Sequence, residues 1–264
     1  MFVVAITRWG AGQDQDAYWL AARRLLDGLP LYDPPATSVT PFAYWYPPPL
    51  AQVLVPIVAI LPARAFDIAW IGLLLVCFLW MAGWRPLVAL ALVAYLPVAV
   101  ELWFDNVHIV LAALIVLGLR RWPWAFAIGA AIKIAPGLGI LYLLLRRRWR
   151  EAAIAIGLGL VILVISLAIG PRAWSGFITT LEARGPADIS GLLPIPYFVR
   201  LFAAVLVTMV AAAVRPRIGE PLLVVAITIA LADALATLIA IVPIVVLASR
   251  STVVSLAAEK AVQT

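Results

Sequence analysis

Three groups of residues in this chain could do chemistry: Asp14 and Tyr18, four apart in "DQDAYW"; Glu101, Asp105, Asn106 and His108 in "ELWFDNVH"; and Lys133, which interrupts the apolar run "AIGAAIKIAPGLG". Carboxylates and an imidazole are the side chains that carry protons to and from hydroxyls. A lysine at membrane depth costs about 2.5–3.5 kcal/mol on insertion scales and faces a cavity or a partner. An anionic lipid headgroup, most simply a phosphate, fits Lys133. Each group also has a purely structural reading. Asp14 can cap a helix, Asp105-Asn106 is ordinary turn chemistry, and Lys133 can snorkel or pair with an internal carboxylate such as Asp233.

The elements that must hold these residues are helices in a membrane. The chain has 264 residues, of which 66% are hydrophobic and 12% charged, and its mean hydropathy is +1.10. Its apolar runs recur along the whole length, so a signal peptide does not explain them. Lipid leaves backbone groups no partner outside a helix or a closed barrel, and the alternation of barrel strands is missing. The expected fold class is therefore an all-α polytopic membrane protein. The net charge of +6 sits in short arginine clusters between apolar runs, the pattern that orients membrane proteins rather than one that binds nucleic acid. Cys77 is the sole cysteine, so no disulfide framework or thiolate metal site is available. No phosphate-cradling glycine loop or paired-histidine motif occurs, and neither a cofactor nor a metal is expected.

Spans are expected near 65–83, 86–102, 105–120, 150–169, 196–213, 218–233 and 236–249. With alternation, Arg85, Arg120, Arg121, Arg146, Arg147, Arg148, Arg150, Arg215, Arg217 and Arg250 fall on one face, which the positive-inside rule makes cytoplasmic. Asp14, Asp16, Asp27, Asp33, Asp67, Glu101, Asp105, Glu182 and Asp188 fall on the other, where acid–base work is expected. Arg23, Arg24, Arg64, Arg172 and Arg184 share that outer face, so the asymmetry is a bias.

Residues 122–145 are long enough to cross once, yet arginines flank both ends. One crossing would strand the "RRRWR" cluster outside. A re-entrant hairpin of two half-helices, broken at 134–137 with Lys133 near its tip, avoids that. Pro136 supports the break because it lacks a backbone donor and disfavours helix at the residue before it.

Residues 14–27 are expected to form an amphipathic helix on the outer side. At 100° per residue, Asp14, Tyr18, Ala21 and Leu25 share a stripe, while Asp16, Arg23 and Asp27 lie opposite. Asp14 thus goes with the packing residues and Asp16 with the solvated ones. Gly28 ends the helix. Tyr44, Trp45 and Tyr46 precede a short apolar segment at 50–61 and either anchor at the interface or line a sugar site. The whole chain reads as one transmembrane domain over 1–264. Residues 1–13 are the expected remnant of a first helix, 14–64 an outer loop with interfacial helices, and 65–170 the central module holding the hairpin. Residues 171–195 form a second outer loop, and 196–264 the last spans and a cytoplasmic tail.

The stretches "DQDAYWLAARRLLDGLPLYD" (14–33), "YWYPPPLAQVLVPIVAILP" (44–62), "DNVH" (105–108) and "AIGAAIKIAPGLGILYLLLRRRWR" (127–150) occur in this order. Together they resemble glycosyltransferase family 87, polyprenyl-phosphate-dependent enzymes of the GT-C superfamily, over residues 14 to about 170. The resemblance implies a GT-C-like helical bundle. It implies transfer of a hexose, mannose at family level, from a polyprenyl-phosphate donor to a hydroxyl of a lipid-linked or cell-envelope glycan, with inversion, on the extracytoplasmic side of the cell membrane. Asp14, at the family's spacing to Tyr18, matches the general base; Asp16 does not. Lys133 matches the cation near the donor phosphate. Tyr18, Tyr46, Asp105, Asn106 and His108 are the remaining expected substrate contacts, although the family pattern has Gly-Gln where this chain has Phe104-Asp105. The alternatives are a lipid or solute transporter, which would show inverted repeats, and a non-catalytic scaffold that binds lipid phosphate.

Overall fold

The computed structural model describes residues 13–32, 44–184, 195–231 and 243. Among these residues there are helices and no strands, and the chain is an all-α polytopic membrane protein. In chain order the helices are α1 (Gln13–Leu26), α2 (Pro48–Ile60), α3 (Ala63–Met81), α4 (Pro86–Val93), α5 (Leu96–Phe104), α6 (His108–Arg120), α7 (Ala125–Ile132), α8 (Leu138–Leu145), α9 (Trp149–Ile169), α10 (Pro171–Arg184), α11 (Tyr197–Ala213) and α12 (Pro216–Leu231). A 3-10 turn, Ala135–Gly137, joins α7 to α8.

Helices α3 and α9 are long and apolar enough to cross a membrane. The expected continuous span at 86–102 is instead α4 and α5, bent by 87°. Tyr95 is extended there at φ −74°, ψ 108°, and Pro97 two residues on has no N–H to continue the ladder. Mean hydropathy is blind to such a break. The expected spans at 105–120, 196–213 and 218–233 appear as α6, α11 and α12; α6 and α11, of 13 and 17 residues, are short of the ~20 that cross a bilayer unaided, and α12 is described as far as Leu231. The span expected at 236–249 lies outside the described residues apart from Pro243, as does Asp233.

The hairpin at 122–145 forms. A Cβ on Gly129 would lie 2.9 Å from Pro136, one on Gly137 would lie 3.6 Å from Ala130, and one on Gly139 would overlap the Phe126 ring. These pairs are seven and thirteen residues apart and can meet only if the chain reverses between them. Arg120, before the hairpin, and Arg146 and Arg148, after it, all interact electrostatically with Glu220, so both ends return to one side. Phe126 is the wedge: its buried ring also lies where a Cβ on Gly118 of α6 would sit, at 2.8 Å. Small residues allow this close approach of helices.

Two apolar clusters organise the rest. Tyr18, Leu50, Leu54, Phe66, Trp70, Leu74 and Leu111 belong to the first, around α1, α2, α3 and α6. Phe126, Tyr142, Leu143, Leu223 and Ile227 belong to the second, where α8 meets α11 and α12. In α1 the helical phase is as expected: Tyr18 and Ala21 are buried, and Leu25 packs on the core. Arg23 and Asp27 are exposed and pair at 3.0 Å.

Candidate functional site

The site is built around the short link between α5 and α6. Asp105 takes a left-handed conformation at φ 54°, ψ 43° and ends α5. The Asn106 N–H donates to the Glu101 carbonyl at 3.1 Å, and the Trp70 indole N–H of α3 donates to the Asp105 carbonyl at 2.8 Å. An aspartate tolerates this backbone better than most residues with a Cβ. The turn sends Asn106 and His108 to two different neighbours.

Asn106 meets Asp14. Its Oδ1 accepts the His108 backbone N–H at 3.2 Å, which leaves its Nδ2 to donate to Asp14 Oδ2 at 2.5 Å. Asp14 lies among the helical residues of α1, so it is not the residue that caps it. One turn further along α1, the Tyr18 hydroxyl accepts the Val107 N–H at 3.3 Å and donates to the Tyr46 hydroxyl at 2.9 Å. Burial first, then Tyr46 and Asp14, hold the Tyr18 hydroxyl well above its ordinary titration range. It is a fixed neutral donor.

His108 meets Lys133. The Lys133 Nζ lies 2.6 Å from His108 Nε2 and 5.1 Å from the centre of the Tyr46 ring, a cation–π contact. The other ring nitrogen, Nδ1, is 3.1 Å and 3.2 Å from the two Glu101 oxygens. Lys133 is the residue that ends α7, with φ −140°, ψ 134°, so the broken hairpin is what presents it. Through His108, Lys133 connects to the buried carboxylate of Glu101.

All seven sequence-predicted residues, Asp14, Tyr18, Tyr46, Asp105, Asn106, His108 and Lys133, are therefore close together through the contacts just given. Tyr44 and Tyr46 are not peripheral anchors: both are buried, and Tyr44 bonds Pro47 O and Ala51 N, each at 3.0 Å. Asp105 has carboxyl neighbours. Burial first, then Asp67 and Asp16, push it up to about 6. Asp16 is half-buried beside Asp67, and its own carboxyl is raised by burial first and Asp67 second. The reading of Asp16 as a plainly solvated residue is corrected accordingly: α3 brings Asp67 over that face of α1, which helical phase alone does not reveal. Sequence reasoning grouped Glu101 with Asp105, Asn106 and His108 but gave it no role in the site, and it left Trp70 out. Glu101 spaced seven before a histidine was the available signal.

The model of glycosyltransferase family 87 matches residues 44–264. No curated protein and no solved structure matches the chain. Tyr46, Asp105, Asn106, His108 and Lys133 lie within the matched residues, while Asp14 and Tyr18 precede them and join them through Asn106 and Tyr46.

Proposed function

Because the chain belongs to glycosyltransferase family 87 and is a membrane glycosyltransferase, we propose that it transfers a hexose, mannose at family level, from a polyprenyl-phosphate donor to a hydroxyl of a lipid-linked or envelope glycan acceptor. Asp14 is the base and Lys133 the phosphate-binding cation. One observation carries this reading: Asp14 and Lys133, 119 positions apart in sequence, bind side chains only two residues apart, Asn106 at 2.5 Å and His108 at 2.6 Å. A carboxylate and an ammonium are thereby held at one short turn.

The chemistry needs both. An alcohol is a weak nucleophile at neutral pH, and a carboxylate within hydrogen-bond reach takes its proton as the oxygen attacks. The acceptor oxygen bonds to the anomeric carbon, the carbon–oxygen bond to phosphate breaks, and its electron pair leaves on the phosphate oxygen. Lys133 stabilises that growing charge without reorganising. Asn106 aims the Asp14 carboxylate, Tyr46 flanks the ammonium, and Tyr18, Asp105 and His108 complete the wall. One displacement inverts the anomeric centre. The arginine-flanked ends of the hairpin face the cytoplasm and the site faces outward in the cell membrane, by the positive-inside rule.

The test is Asp14→Asn in a chain that still inserts and folds. Transfer from a polyprenyl-phosphate mannose donor should fall by about 10²–10⁴, the range for loss of a general base. Transfer at the unaltered rate would remove Asp14 from the mechanism.

A further inference from the structure

The phosphate site contains a buried carboxylate that touches neither the proposed base nor the proposed cation. We propose that Glu101 is a positioning residue: acting through His108, it dictates which imidazole nitrogen meets Lys133 and hence where the Lys133 ammonium points. This rests on the reading of Lys133 as the phosphate-binding cation.

A lysine ammonium only donates, so at 2.6 Å from Lys133 Nζ the His108 Nε2 must be bare. The single ring proton then sits on Nδ1, where Glu101 Oε1 and Oε2 accept it at 3.1 Å and 3.2 Å. Glu101 is 0% and His108 2% exposed, so water does not stand in for either partner. A buried carboxylate calls for a counter-charge, and the Lys133 ammonium lies across the ring from Glu101. Glu101 is built into the turn as well, because its carbonyl accepts the Asn106 N–H at 3.1 Å.

Removing the carboxylate would free the ring proton to move to Nε2. Two donors would then face each other at a 2.6 Å separation, and Lys133 would have to swing away. A partner that sets the tautomer of a functional histidine from behind is the general device at work here.

His108 is the sole histidine, so ¹⁵N-histidine labelling of the whole chain in lipid nanodiscs reports on it alone. At neutral pH the spectrum should show a protonated Nδ1 and a bare Nε2; an imidazolium or an Nε2–H tautomer overturns the proposal. In Glu101→Leu the Nε2–H form should appear, and binding of undecaprenyl monophosphate in the same nanodiscs should weaken about tenfold or more. Glu101→Gln, whose amide oxygen can still accept the Nδ1–H, should keep the tautomer and bind within about threefold of the unaltered chain. Binding by Glu101→Leu equal to that of the unaltered chain overturns the proposal. If Glu101→Leu does not insert, the tautomer of the unaltered protein decides. Lys133→Met separates the two readings: undiminished binding there sinks the phosphate role of Lys133, whatever the tautomer of His108.

Discussion

Asn106 donates to Asp14 Oδ2 at 2.5 Å while its own carbonyl oxygen accepts the His108 N–H at 3.2 Å. The amide is therefore not free to flip: its acceptor end is fixed by the start of α6 and its donor end by the carboxylate. Asp14 in α1 is thereby oriented by the link between α5 and α6, 92 residues away along the chain.

Asn106→Ala should cut transfer by roughly tenfold or more without removing the proposed base, since a misplacement of about 1 Å in a catalytic group already costs ~10²-fold. Steady-state kinetics with a polyprenyl-phosphate mannose donor would show the loss mainly in kcat. A change confined to KM would show that Asn106 serves substrate binding instead.

Asp105 gives stability a pH dependence of defined sign. Its carboxyl titrates at about 6 in the folded chain against about 3.9 when unfolded. Between those values the folded state holds the extra proton, so stability is greatest below pH ~4 and falls as pH rises through 6. Asp105→Asn should therefore raise the thermal midpoint at pH 8 and leave it little changed at pH 4. Asp16, raised for the same reasons, should leave a residual slope of the same sign. A variant less stable at pH 8 than the unaltered chain would contradict the assignment.

The hairpin is held by an absence of side chains. Gly139→Ala sets a Cβ into the Phe126 ring, and Gly118→Ala sets one 2.8 Å from it. Overpacking of this kind costs about 1–3 kcal/mol. Both variants should lower the apparent thermal midpoint in detergent, Gly139→Ala the more, whereas Gly157→Ala, which meets nothing within 4 Å, should not. Equal midpoints for all three would mean that Phe126 does not lock the hairpin.

Much of this was legible in the sequence because it depended on period and charge. Helical phase placed Tyr18, Ala21 and Leu25 on the packed side of α1, and the arginines on both sides of 122–145 demanded a chain reversal that the glycine contacts around Phe126 display. What escaped depended on geometry between elements. Tyr95 bends a segment that hydropathy reads as continuous. Asp67 becomes a neighbour of Asp16 and Asp105 only when α3 packs across α1. Glu101 looked like one more polar residue near a loop, and it joins the site because the left-handed turn at Asp105 folds the chain back so that a residue seven positions earlier faces His108.

Phe126 has a consequence for how the enzyme can adapt. Its ring keys the hairpin that carries Lys133 to α6, the helix that begins with His108. The ammonium and the imidazole therefore share one rigid frame of reference and travel together or not at all. Accommodation of donors and acceptors of different size is then left to the other wall, where Asp14 and Tyr18 of α1 meet Asn106 and Tyr46, so substrate tolerance should be tuned by that wall while the Lys133–His108 end stays invariant.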